Sequence, residues 1–200
     1  SVFDWRPRTP FFYGWLILAM AFLATFAATG ATQVVLGGVQ VFITDDTGWE
    51  RSTVSFSATA GPWASGLLAP FIGRLADRYG PRWLMPVGML IVAAAFFSIA
   101  GANGAWQFFA AYFLGRAVGN AAIIDMVPRT AAVNFFRRRR NMALALVSTF
   151  RPIGSAVTLQ IISLIAIRWG WRAAYRYCGI IGLILVVPIL LVMRRRPEDI

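Results

Sequence analysis

Two arginines stand where an apolar chain has no ordinary use for them. Arg116 falls within FFAAYFLGRAVGNAA (108–122) and Arg151 within ALALVSTFRPIGSAV (143–157), each near the middle of a run of aliphatic, aromatic and small residues. At the centre of a membrane helix an arginine costs on the order of 2.5 to 3.5 kcal/mol on insertion scales, so such a residue marks a pathway or a partner. Two cations near one depth suit an anion. Helical spacing supplies polar company: Tyr112, Arg116 and Asn120 recur at four residues, and Ser148, Arg151, Ser155 and Thr158 at three and four. Thr25, Thr29, Thr32 and Gln33 form a third stripe near the start of the chain. The candidate anion-binding set is therefore Arg116, Arg151, Asn120, Thr29 and Gln33. For the threonines the alternative is a hydrogen bond to a carbonyl of their own helix, which requires no ligand.

Other chemistries are poorly supplied. The chain has no His, which excludes HExxH zinc proteases, His-based hydrolases and most catalytic metal sites. Its serines have no base to activate them, so neither an enzyme nor a cofactor or metal is expected. The lone Cys178 permits no intrachain disulfide and reads as a small buried hydrophobe. Asp125 and Arg129, four apart and on the far side of their helix from Arg116, read as a local ion pair. Asp125 is also the only acid inside a predicted span, hence the only proton-carrier candidate. The formal charge of +11 sets 19 basic residues, all arginine, against eight acids, and the arginines are spread in short clusters between apolar runs. Nucleic-acid binding would need those charges gathered on one water-facing surface, so no nucleic-acid partner is expected.

The elements that must position these residues are membrane helices. Hydrophobic residues make up 58% of the 200, against about 45 to 50% in a soluble domain. Since a helix needs about 20 mainly apolar residues to cross the hydrocarbon core, six stretches qualify. They lie at about 13–40, 53–72, 83–101, 105–130, 142–167 and 171–193. The expected fold class is an all-α membrane protein of six transmembrane helices. A signal peptide over residues 15–29 is the alternative for the first stretch, but its apolar run continues past residue 30. Cytoplasmic loops keep an excess of arginine. Arg6, Arg8, Arg74, Arg78, Arg82, Arg137 to Arg140 and Arg194 to Arg196 fall on one side, which places both termini in the cytoplasm.

The second span is rich in small residues and the fourth holds Gly115 and Gly119 in a GxxxG arrangement, faces that let backbones approach closely. The third and sixth, more uniformly Leu, Ile, Val and Phe, are expected to face lipid. A shift of 90 lays SATAGPWASG (57–66) over VSTFRPIGSA (147–156), matching Thr59, Pro62 and Ser65 to Thr149, Pro152 and Ser155. That pairs the second span with the fifth, as a three-plus-three inverted repeat requires.

Between the second and third spans lies GRLADRYGPR (73–82), which resembles the signature loop of the major facilitator superfamily, G-x-L-x-D-R-x-G-[RK]-[RK]. Gly73, Asp77, Arg78, Gly80 and Arg82 match, and Pro81 replaces one basic residue. LGRAVGNAA (114–122) is similar to the fourth-helix pattern R-x-x-x-G of that family. FYGW (12–15) and GWERSTVSFS (48–57) most resemble its monocarboxylate and oxalate/formate branch. A typical member has twelve spans, so the resemblance implies that residues 1–200 form the amino-terminal half, a six-helix bundle whose partner is the carboxy-terminal half. It implies a secondary transporter working by alternating access around a central cavity, with Gly73, Asp77, Arg78, Gly80 and Arg82 forming a conformational-switch loop. For Arg116 it leaves a second role open, tying helices together through backbone carbonyls.

The function expected from residues and resemblance together is transport of a small organic anion, a mono- or dicarboxylate, across the lipid bilayer of a bacterial inner membrane. Two alternatives remain: efflux of apolar or cationic compounds, with both arginines structural, and a complete six-span membrane scaffold or enzyme.

Overall fold

The computed structural model describes residues 13–79, 81–126, 128–129, 132–133 and 140–192, and every element among them is helical. The first predicted span is interrupted. Helix α1 (Tyr13–Ala28) passes into a 3-10 turn at Thr29–Ala31, and Thr32 is extended (φ −76, ψ 154) before α2 (Gln33–Thr47) begins. The local sequence TGAT explains the break: glycine and β-branched threonine are weaker helix formers than their neighbours. In addition, the Thr29 hydroxyl donates to the Phe26 carbonyl at 2.6 Å, offering the backbone an alternative to the helical ladder. Helix α2 ends at Gly48, whose left-handed conformation (φ 69) sends its amide to the Thr44 carbonyl.

Helix α3 (Arg51–Tyr79) runs 29 residues with Pro62 and Pro70 inside it, and α4 (Pro81–Ala100) begins on Pro81, where no amide donor is needed. Helix α5 (Ala105–Val118) widens into a π-helical stretch at Gly119–Met126. Helices α6 (Arg140–Trp169) and α7 (Trp171–Val192) meet at Gly170, whose φ of +83 makes the sharp corner.

Among the described residues, three segments are long and apolar enough to cross a membrane: Trp83–Ala100, Asn141–Trp169 and Trp171–Val192. These correspond to the third, fifth and sixth predicted spans. Gly14–Ala28 is apolar but shorter. The other predicted spans do not stand as single apolar helices, each for a physical reason. The break at Thr29–Thr32 divides the first, and the change to π geometry at Gly119 leaves α5 with 14 residues. Helix α3 is long enough, but its small and polar residues dilute its hydropathy.

Helix α4 packs most extensively on α7, α5 packs on α3 and α4, and α1 packs on α6 and α7. Small residues set these approaches. A Cβ on Gly115 would lie 2.8 Å from that of Ala95, and one on Gly119 3.3 Å from Val92 Cγ2, so both glycines of the GxxxG face α4. On α7, a Cβ on Gly179 would come within 2.9 Å of the Phe97 ring. Helices α4 and α7 do expose Val87, Leu90, Leu183 and Ile184, as expected of lipid-facing helices, but their opposite faces form the centre of the bundle. Uniform apolarity does not separate the two environments, because hydrocarbon is as apolar as a neighbouring helix.

One end of the bundle is tied by a single acid. Asp46, near the end of α2, pairs with Arg172 and accepts the indole N–H of Trp171 at 3.0 Å. Arg172 also donates to the Ala102 carbonyl in the α4–α5 turn at 3.0 Å and lies over the Trp171 ring.

Candidate functional site

The buried polar residues gather around the two interruptions. Thr29, in the 3-10 turn, lies 2.9 Å from the hydroxyl of Thr158 on α6, while its own hydroxyl donates to Phe26. One turn earlier, the Thr25 hydroxyl donates at 3.4 Å to the carbonyl of Ile123, which sits in the π-helical stretch after α5. The break in the first helix is thus stitched on one side to α6 and on the other to the irregular part of the fourth. Gly154 permits the first contact, since a Cβ there would lie 3.2 Å from Thr29 Cγ2. Gly30 turns the other way, toward Phe96 and Cys178. Thr32 is buried, and its hydroxyl has no hydrogen-bond partner among the described residues.

Arg116 lies in the last turn of α5, just before the π-helical stretch, and is buried at 2% exposure. Its stem lies on α3 at Gly61, where a Cβ would overlap the Cβ and Cγ of the arginine. Glycine is required there to admit the side chain. Phe56 of α3 stacks on Phe109 of α5 at 5.7 Å farther along the same seam. Tyr112 and Asn120, four residues to either side of Arg116, are buried as well. The Tyr112 hydroxyl and the Asn120 side-chain oxygen have no partner among the described residues. Buried polar atoms are seldom left so, and these mark where a polar group or water would be accommodated.

Arg151 stands differently. It is exposed on α6, although Ser155 and Thr158 in the same stripe are buried. The expected pairing of two equivalent cations at one depth therefore resolves into one arginine inside the bundle and one on its surface. Gln33 begins α2, and its side chain lies outside the described residues, as do those of Asp77, Arg82 and Asp125 and the whole of Gly80. Of the switch loop, Gly73 and Arg78 belong to the last turns of α3, with the Arg78 guanidinium 5.5 Å from the centre of the Tyr79 ring.

The interruptions themselves were not anticipated from the sequence. A signal was available: the shift of 90 that aligns Pro62 with Pro152 also lays Thr29 and Gly30 over Gly119 and Asn120. Each pair is one glycine and one polar residue, in opposite order, and each opens an irregular segment.

Comparison with known proteins gives the family. Residues 13–200 match the model of the Major Facilitator Superfamily. An MFS-type transporter of Gibberella moniliformis is 24% identical over 96% of this chain and 46% of its own length. The 4-hydroxybenzoate transporter PcaK of Pseudomonas aeruginosa is 28% identical over 97% of this chain and 42% of its own, and the agnestins efflux protein of Paecilomyces divaricatus 27% identical over 71% and 33%. The chain spans less than half the length of each of these relatives. With a family match across nearly all of its residues, buried polar groups at two interrupted helices and a bundle of apolar helices around them, the chain belongs to the Major Facilitator Superfamily.

Proposed function

We propose that this chain is the amino-terminal, six-span half of a secondary transporter that moves a small organic anion, a mono- or dicarboxylate, by alternating access. The observation that carries the reading is the pairing of two interruptions 90 residues apart, at Thr29–Ala31 and from Gly119 on, with Arg116 and Asn120 at one and Thr29 at the other. In transporters with inverted repeats, substrate sites lie at equivalent broken helices near the midplane. The helix pairing supports the same repeat: α1 packs on α6 and α7 as α5 packs on α3 and α4. The reading takes each interrupted helix as one span and the long, less apolar α3 as another, which with α4, α6 and α7 makes the six the repeat requires. Arg116, from inside the bundle, and Arg151, from the surface of α6 that this reading turns toward the other half, supply the charge for a carboxylate; Asn120 and Gln33 complete the cavity, and Thr29 holds the break between α1 and α2. The switch loop, with Asp77 and Arg78, docks against the other half of the transporter on the cytoplasmic side. The relative named for 4-hydroxybenzoate carries a carboxylate in that name, which supports an anion.

The test is uptake by the full-length parent protein in proteoliposomes, with labelled 4-hydroxybenzoate and a panel of small carboxylates. A hydrogen bond to a charged group is worth about 1.5 to 3 kcal/mol, so Arg151→Ala and Arg116→Gln are each expected to lower uptake about tenfold or more. Folded yield should match the parent. Carboxylate uptake intact in both variants would overturn the anion assignment. Efflux of an apolar compound is the second reading, favoured by the relative named as an efflux protein and by the packing of Arg116 on Gly61. Competition by apolar solutes with none by carboxylates would establish it.

A further inference from the structure

A narrow crevice runs between α6 and α7 and reaches α1 at its floor, on the outer side of the Thr29–Thr158 contact and apart from Arg116 and Asn120. Its walls are Ile161 and Ile165 on α6 and Tyr177 and Ile181 on α7, with Cys178 and Thr158 below them. Ile161, Tyr177 and Ile181 are exposed, so the mouth opens on the outer surface of the bundle. The one polar group low in the crevice is already occupied, because the Thr158 hydroxyl lies in hydrogen-bond reach of Thr29 and the Phe26 carbonyl. What remains for an occupant is hydrocarbon.

The crevice has a depth, and one helical turn beyond its outermost α6 residue, Ile165, stands a charge. Ile161, Ile165 and Arg168 recur at four and three residues, which carries the outer wall along α6 to an exposed arginine. From Thr158 to Arg168 the helix rises about 15 Å at 1.5 Å per residue. That is the thickness of one leaflet's share of a hydrocarbon core about 30 Å across. Trp169, 63% exposed beside Arg168, and the corner at Gly170 set this end at the level where tryptophan collects, between hydrocarbon and water. Arg172 is held by Asp46, whereas Arg168 makes no ion pair among the described residues.

We infer that the α6–α7 crevice binds one phospholipid, an acyl chain lying along Ile161, Ile165 and Ile181 and the phosphate held by Arg168. An apolar crevice in a bilayer has no water to fill it, and left empty its walls forfeit their dispersion contacts. Guanidinium and phosphate form charge-assisted hydrogen bonds, and an anionic headgroup adds net attraction. The inference does not depend on what is transported.

Cys178 is the only cysteine of the chain and lies in the floor of the crevice, so its alkylation reports occupancy. The rate of N-ethylmaleimide addition at Cys178 is followed by peptide-resolved mass spectrometry on the purified, delipidated full-length parent in detergent, with dioleoyl phosphatidylglycerol added. We expect the lipid to slow alkylation about tenfold, Arg168→Gln to need about tenfold more lipid for equal protection, and uncharged dioleoylglycerol to behave on the parent as phosphatidylglycerol does on that variant. Native mass spectrometry should find one phosphatidylglycerol per chain, lost in Arg168→Gln and in Ile161→Trp, which fills the mouth. An unchanged alkylation rate, equal protection in Arg168→Gln, or equal protection by dioleoylglycerol would overturn the inference. So would a shielded Cys178 in lipid-free protein with the mass of two chains by light scattering, which would place a second copy in the crevice.

Discussion

At the scale of single residues, the two arginines that motivated the anion reading occupy unlike environments. Arg116 is enclosed, and its enclosure depends on the absence of a side chain at Gly61. Inserting a methyl group into a packed contact commonly costs about 1 to 3 kcal/mol, and here it would meet the stem of the arginine rather than its mobile tip. Gly61→Ala should therefore lower unfolding stability in detergent by that amount. In an Arg116→Gly background, which removes both the Cβ and the Cγ that the added methyl would meet, the cost should largely vanish, and the double-mutant cycle measures the coupling. Equal cost in both backgrounds would mean that Gly61 does not seat the arginine. The stripe Tyr112, Arg116, Asn120 was legible in the sequence because four-residue spacing on a helix is local geometry. The unlike exposure of Arg116 and Arg151 was not, because it depends on which helix lies across from each.

Among elements, the uninterrupted helices were the easy part. Long runs of Leu, Ile, Val and Phe with few charges put α4, α6 and α7 near their predicted limits. The first and fourth helices differ because their composition is just as apolar while their backbone is not regular. Thr29–Thr32 replaces α-helical bonds with a 3-10 turn and threonine hydroxyl bonds, and Gly119–Met126 adopts wider π geometry. Segments of this kind open at lower free energy than continuous helix. Hydrogen exchange read by mass spectrometry should show amides at 29–33 and 119–126 exchanging faster than those of 85–99 in α4. Uniform protection across all three would show that the interruptions are as stable as the helix around them, and would weaken the case for a site there.

For the whole molecule, arginine distribution predicts that the α3–α4 end faces the cytoplasm and the end tied by Asp46, Arg172 and Ala102 faces away. Asn103, exposed in the α4–α5 turn, and Tyr79, exposed at the end of α3, lie at opposite ends. In intact cells Asn103→Cys should react with a membrane-impermeant maleimide and Tyr79→Cys should react only after the membrane is opened. Cys178 lies within the apolar span of α7, where a membrane-impermeant reagent does not reach it, and contributes little background. The reverse pattern would invert the orientation.

The amino-acid sequence alone determined the all-helical membrane class, three of the spans, the polar stripes and the membership suggested by GRLADRYGPR, because composition, periodicity and a short loop motif are properties of neighbours along the chain. Tertiary structure decided that Arg116 is buried on Gly61 while Arg151 is exposed, that Thr25 and Thr29 stitch the first helix to the fourth and fifth, and that an apolar crevice opens between α6 and α7. Each of these is a contact between segments distant along the chain, where a glycine matters only through what approaches it. No window of sequence contains both partners.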